Sequence, residues 1–140
     1  NISQVHFINL RILDEKGKTV SENFYWRSND KYEGKTTVTG PCVSGFQDLE
    51  KLPAANVKMK SKVQKVGDKY VATVTLTNSS SKIAFFNQLH MFSADKNPVR
   101  PCYYTDNFFS LLPGASKTVT IEADAEYVNG TPYVTLKTWN

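Results

Sequence analysis

Along most of this chain apolar and polar residues change places at every second position, the period of a half-buried β-strand. Residues 4–13 set His6, Ile8, Leu10 and Ile12 on one face. The turn Asp14-Glu15-Lys16-Gly17-Lys18 leads into a second run, Thr19–Trp26, and the two predict a hairpin. Further on, Val57, Met59 and Val63 alternate with Lys58, Lys60 and Lys62. A turn at Val66-Gly67-Asp68-Lys69 passes to Tyr70, Ala72, Val74 and Leu76, alternating with Val71, Thr73, Thr75 and Thr77.

The later segments follow the same logic. Ile83–Ser93 is apolar on both faces and predicts a strand with protein on either side. A short strand is expected over Arg100–Tyr104, and Leu111-Leu112-Pro113-Gly114 reads as a turn into Lys117–Ala123, with Val119, Ile121 and Ala123 inward. Pro132–Trp139 is the last strand. Residues 27–55 break the period: they are polar, carry Gly34, Gly40, Gly45, Pro41 and Pro53, and allow one turn of helix at Gln47–Lys51. A connection this long in a compact domain usually has a task or packs against something. Seven to nine short strands with regular turns predict an all-β, immunoglobulin-like antiparallel β-sandwich, with a barrel as the alternative.

Length and composition narrow the class. The chain has 140 residues, 40% hydrophobic and 12% aromatic, enough to bury a core and suited to a single domain over 1–140. It has no apolar run of about 18 residues, so no membrane span is expected. Its start, Asn1-Ile2-Ser3-Gln4, shows neither an initiator Met nor a leader pattern and reads as a cut from a longer protein. The net charge is +4. Much of the excess lies in Lys58, Lys60, Lys62, Lys65 and Lys69, a stripe that suits a solvated sheet face better than a polyanion, and no nucleic-acid partner is expected. Cys42 and Cys102 belong to no CxxC pair; one disulfide or two separate thiols both fit.

Catalytic chemistry finds few residues to work with. His6 and His90 lie within strands, each a packed histidine before it is a base, and neither has the companions of a triad or a metal site. Glu122 and Asp124, two apart on one strand, sit about 6.5–7 Å apart. That spacing suits a glycosidase pair, yet their alternation with Ile121 and Ala123 points them to solvent. Phosphate-binding glycine loops are missing. Neither a catalytic residue, a metal nor a cofactor is therefore expected. Asn78-Ser79-Ser80 and Asn129-Gly130-Thr131 match the N-glycosylation pattern and equally suit turns. Aromatics near the irregular segments are the candidate sugar- or domain-contact residues: Trp26, Tyr32 and Phe46, then Tyr103 and Tyr104, with Phe108 beside them.

One ordered series goes beyond pattern. Phe46-Gln47-Asp48-Leu49 and Leu52-Pro53 precede the lysine-bearing hairpin; Ser81-Lys82-Ile83-Ala84-Phe85-Phe86 follows, then the block Tyr103-Tyr104-Thr105-Asp106-Asn107-Phe108-Phe109-Ser110-Leu111-Leu112-Pro113-Gly114 and the close Trp139-Asn140. This series resembles the C-terminal immunoglobulin-like domain of glycoside hydrolase family 2 enzymes, in the exo-β-D-glucosaminidase and β-mannosidase group. Glu22-Asn23-Phe24-Tyr25-Trp26 is similar to the strand that leaves the preceding domain there, and 27–44 departs from the pattern. The resemblance implies a non-catalytic accessory domain. The parent would be a retaining β-glycosidase whose catalytic glutamates lie on a separate barrel. It further implies the parent's other domains as partners and a secreted or periplasmic location. An independent carbohydrate-binding module with an oligosaccharide ligand is the alternative.

Overall fold

The computed structural model describes residues 2–29 and 44–140. The chain divides into two compact units, residues 1–52 and 53–140, taken in turn.

The first unit is the hairpin the alternation predicts. Strands β1 (Val5–Leu13) and β2 (Thr19–Ser28) pair antiparallel from Val5↔Ser28 to Ile12↔Ser21, with a register shift before Leu13↔Thr19. The turn is tied by Asp14, whose Oδ1 accepts the amides of Lys16 at 2.9 Å and Lys18 at 2.8 Å. A 3₁₀ segment, Ser44–Lys51, replaces the single helical turn expected at Gln47–Lys51 and packs along the hairpin. Among the described residues Val5 and Leu49 are the buried apolar side chains of this unit. The face of Ile8, Leu10 and Ile12 does not become a core: Leu10 is 56% and Ile12 65% exposed.

The second unit is a sandwich of two antiparallel sheets. Its seven strands are β3 (Val57–Val66), β4 (Lys69–Asn78), β5 (Ala84–Phe92), β6 (Tyr103–Tyr104), β7 (Phe109–Leu111), β8 (Ser116–Asp124) and β9 (Tyr133–Lys137). One sheet runs β3-β4-β8-β6 and the other β7-β5-β9. The β3–β4 turn is a two-residue loop whose first residue, Gly67, has φ 61°, the left-handed geometry such loops assign to glycine. Register stacks the inward residues: Ala72 faces Ile121, Val74 faces Val119, and on the other sheet Leu89 faces Leu136 and Met91 faces Val134. Leu76, Leu89, Met91, Ile121, Val74 and Val119 are fully buried. Each such side chain contributes roughly 1.5–3 kcal/mol relative to exposure.

Three strands differ from expectation. Ile83–Ser93 is not apolar on both sides. A register shift between Ala84 and Asn87, with Phe86 at φ 53°, buries Ala84 and Phe85 in succession; beyond it Asn87, Leu89 and Met91 turn inward while Gln88, His90 and Phe92 are half-buried outward. The strand expected over Arg100–Tyr104 shrinks to Tyr103–Tyr104. Phe109–Leu111, where no strand was expected, pairs with β5 just ahead of the turn read at Leu111-Leu112-Pro113-Gly114.

Candidate functional site

Strand β5 has short ladders on either side, and side-chain amides extend them. Asn87 pairs with Phe109, so the next position of β5 on that ladder, Leu89, faces Asn107. There the backbone has turned away and the side chain takes over: Leu89 N donates to Asn107 Oδ1 at 2.8 Å, and Asn107 Nδ2 donates to Leu89 O at 3.0 Å. This copies the two-bond exchange of an antiparallel residue pair. Asn140 does the same beyond the end of β9. It accepts from Phe85 N at 2.9 Å and donates to Ile83 O at 2.9 Å and Pro53 O at 2.7 Å.

Two further asparagines lie wholly inside. Asn87, fully buried, spans the irregularity at Phe86 by donating to Ala84 O at 2.9 Å and Phe109 O at 3.0 Å. Asn78, also fully buried, donates to Lys82 O at 2.7 Å and Leu111 O at 3.0 Å, while its Oδ1 accepts from Ser80 N at 3.0 Å. Its amide is therefore committed to the fold, although it heads a glycosylation pattern. Asn129, heading the other, is exposed and donates to Asp95 Oδ2 at 3.1 Å, which helps hold the Asp95 carboxyl below its usual value.

The described candidate aromatics lie on β2, on the 3₁₀ segment and on β6. Trp26 stands on β2, 42% exposed, and Phe46 is half-buried in the 3₁₀ segment; Tyr32 lies outside the described residues. Tyr103 and Tyr104 are neighbours in β6 and so point to opposite faces. Tyr103 is exposed beside Glu122, whereas Tyr104 packs on the core and its hydroxyl is pushed up by burial and by Cys102. Phe108, at φ 58° and exposed, rests against Phe86 with ring centroids 5.3 Å apart.

Ionisable groups settle into ion pairs. Lys69 Nζ lies 3.8 Å from Glu122 and 4.0 Å from Asp124, so the two carboxylates share a cation on the solvent face. Lys117 pairs with Asp106 and covers the Phe109 ring at 4.9 Å, clamping the 103–114 block from outside. Lys58, Lys60 and Lys62 project from the outer face of β3, which is an edge strand, where lysine discourages pairing between molecules. His90 is half-buried with its ring 6.1 Å from Phe92. The Cys102 thiol is free, raised by burial, and donates to Val99 O at 3.2 Å; Cys42 lies outside the described residues. Among the described residues no three His, Cys, Asp or Glu side chains gather as metal ligands.

A sequence model described as the exo-β-D-glucosaminidase Ig-fold domain matches residues 35–140. The chain belongs to that family. It is 34% identical over 122 residues to an exo-β-D-glucosaminidase of Hypocrea virens, covering 80% of this chain and 14% of that protein. An exo-β-D-glucosaminidase of Streptomyces avermitilis aligns over 150 residues at 27% identity, covering 99% of this chain and 16% of the relative. The fold superposes on the crystal structure of the exo-chitosanase CsxA of Amycolatopsis orientalis with a TM-score of 0.83 and 26% identity, over 99% of this chain and 17% of that one. The chain thus spans 14 to 17% of the length of these proteins.

Membership in the exo-β-D-glucosaminidase Ig-fold family matches the resemblance carried by the ordered series from Phe46 to Asn140. It also reaches further upstream: 35–44, where no likeness was expected, falls inside the match. What sequence reasoning missed in this Ig-fold domain is the asparagine set. Their reach of 18 residues, from Asn107 to Leu89, and 55, from Asn140 to Phe85, appears only once the strands are in register.

Proposed function

We propose that this Ig-fold chain is a non-catalytic accessory part of a larger family 2 glycoside hydrolase of the exo-β-glucosaminidase or β-mannosidase type, packing against the catalytic part and stabilising it. The carrying observation is the family match together with the small share, 14 to 17%, that the chain occupies in the proteins it matches. The parent's reaction would be retaining hydrolysis through a covalent glycosyl-enzyme on residues outside this chain, in a secreted or periplasmic enzyme. What supports the accessory role is the residue inventory: carboxylates paired with lysines, and amides spent on the fold.

The test is deletion of residues 53–140 from the full-length polypeptide, followed by soluble yield and hydrolysis of PNP-β-D-glucosamine. Loss of yield or activity by about tenfold or more is expected, since removing a packed partner exposes its counterpart surface. An intact, fully active remainder would sink the reading. The second reading, a carbohydrate-binding module, draws on the exposed rings of Tyr103 and Trp26. Calorimetry with manno-, gluco- and chito-oligosaccharides tests it, and binding lost on Tyr103→Ala would favour it.

A further inference from the structure

The outer face of the β3-β4-β8-β6 sheet ends in a patch of tyrosines and carboxylates. Residues directly opposite share a face, so Tyr103 of β6, Glu122 of β8 and Val71 of β4 stand in one row, with Asp124 and Lys69 in the next. Strand β8 runs straight into the 3₁₀ turn Ala125–Tyr127, which Ala125 N fixes by donating to Asp68 O at 2.7 Å. That turn brings a second ring to the patch. The Tyr127 hydroxyl is pushed up, first by its hydrogen bond to Glu126 and also by Asp124 and Tyr103, so both rings border one group of carboxylates. Tyr103 is 63% and Tyr127 47% exposed. Exposed tyrosines offer a rigid apolar ring with a polar tip, the side chain that recognition surfaces favour.

Lys69 shows what the carboxylates accept. Its ammonium lies 3.8 Å from Glu122 Oε2 and 4.0 Å from Asp124 Oδ1. It bridges the pair without the contact of about 2.7–2.9 Å that a charge-assisted hydrogen bond makes. All three side chains are 40 to 46% exposed, and an ion pair so placed holds only weakly. The pair thus takes an ammonium group and grips its own one loosely.

Charge at this corner runs against the rest of the chain. Asp68, Glu122, Asp124 and Glu126 outnumber Lys69 there, although the whole chain carries +4. Of the other lysines in the stripe, Lys65 lies on the opposite face with its ammonium 5.9 Å from the Tyr70 centroid, and Lys62 shares the outer face two strands away.

We propose that Tyr103, Tyr127, Glu122 and Asp124 form a surface site for an oligosaccharide of amino sugars. Its pyranose rings lie on the tyrosines, and a protonated amine displaces Lys69 from the two carboxylates. Side chains opposed across a ladder have Cβ atoms about 4.5–5.5 Å apart, so a sugar stacked on Tyr103 holds an amine substituent within reach of Glu122. The choice of an amino sugar among organic cations rests on the exo-β-glucosaminidase reading; the place and sign of the site rest on the patch itself.

The test is NMR titration of the 140-residue chain with a β-1,4-linked glucosamine tetramer and with its N-acetylated form, in buffer acid enough to protonate the sugar amines. The amino tetramer should bind about tenfold more tightly, the worth of one or two exposed ion pairs, with the largest shifts at Tyr103, Glu122 and Tyr127. Glu122→Gln combined with Asp124→Asn should erase that preference. Tyr103→Ala and Tyr127→Ala should each weaken both sugars by about fivefold. Lys69→Gln, which frees the carboxylates, should tighten the amino tetramer about threefold. Melting curves establish that each variant is folded. Equal affinity for the two tetramers, binding of neither, or a looser complex with Lys69→Gln would overturn the proposal. So would a tetralysine peptide bound as tightly as the amino tetramer, since the site would then read charge and not sugar. The two readings separate: a parent crippled by loss of 53–140, beside a chain that binds neither tetramer, keeps the accessory role and removes this site.

Discussion

β1 and β5 are strands of the same length with similar contents, VHFINLRIL and AFFNQLHMF, each with one histidine and one asparagine among apolar residues. Their fates differ. In β5, Leu89 and Met91 are fully buried and Asn87 makes two hydrogen bonds to backbone carbonyls. In β1, Leu10 and Ile12 are mostly exposed, while one asparagine oxygen on each strand, Asn9 Oδ1 and Asn87 Oδ1, is buried without a hydrogen-bond partner. β5 has a strand on each side and a second sheet across its inner face, whereas β1, among the described residues, pairs with β2 alone and has only the 3₁₀ segment packed along the hairpin. Strand character belongs to the residues; apolar burial belongs to the neighbours.

The sharpest way to break this comparison is to cut the two apolar sets down to alanine. Leu89→Ala or Ile121→Ala should cost about 2–5 kcal/mol in urea unfolding of the 140-residue chain, through lost transfer energy and a cavity. Ile12→Ala in the same chain should cost less than about 0.5 kcal/mol, as for other exposed positions. Equal costs would mean that the hairpin is buried in solution.

The polar counterparts come next. Asn107→Ala strips the Leu89 amide and carbonyl of their partners inside the sandwich, at an expected cost of about 2 kcal/mol. Asn9→Ala should be close to neutral in the 140-residue chain, since Asn9 Oδ1 has nothing to lose. The same denaturation curves measure both.

The two glycosylation patterns divide along the same line between buried and exposed amides. A glycan on Asn78 would abolish its bonds to Lys82 and Leu111 inside the sandwich, whereas Asn129 is exposed. Folded, soluble chain secreted from a eukaryotic host should carry glycan at Asn129 and none at Asn78, as read by peptide mass mapping after enzymatic deglycosylation. Folded protein glycosylated at Asn78 would contradict the described packing.

The smallest effect is alkaline. Burial raises Cys102 and Tyr104 above their ordinary values, so both hold their protons more tightly folded than unfolded. Their contribution is full below the unfolded thiol's value, about pH 8.5, and is lost as pH rises through the folded values. Stability should therefore decline gently above that point, and Cys102→Ala should flatten the decline in melts taken at successive pH values.

Much of this was legible in the residues. Alternation located β1, β2, β3, β4 and β8 and named Val119, Ile121 and Ala123 as inward, which they are. The hairpin turns at Gly17 and Gly67 were equally plain, because each needs a backbone geometry that few other residues adopt. The less legible parts are β5 and the two short strands β6 and β7. The apolar run of β5 conceals a shift of register, its partner β7 is three residues long, and the candidate aromatics Tyr103 and Tyr104 part to opposite faces. Short strands carry too few residues for a period to show.

By itself, then, the amino-acid sequence determined the strand-forming segments, the turns, the all-β class and, through the ordered series from Phe46 to Asn140, the family. Those features depend on neighbours in the chain, whose interactions act over a few residues wherever they sit. Tertiary structure alone decided that asparagine side chains complete the ladders of β5 and that one apolar hairpin face stays exposed. Both depend on which distant segment comes alongside, and hydrogen bonds and apolar burial are won only when that partner is in place.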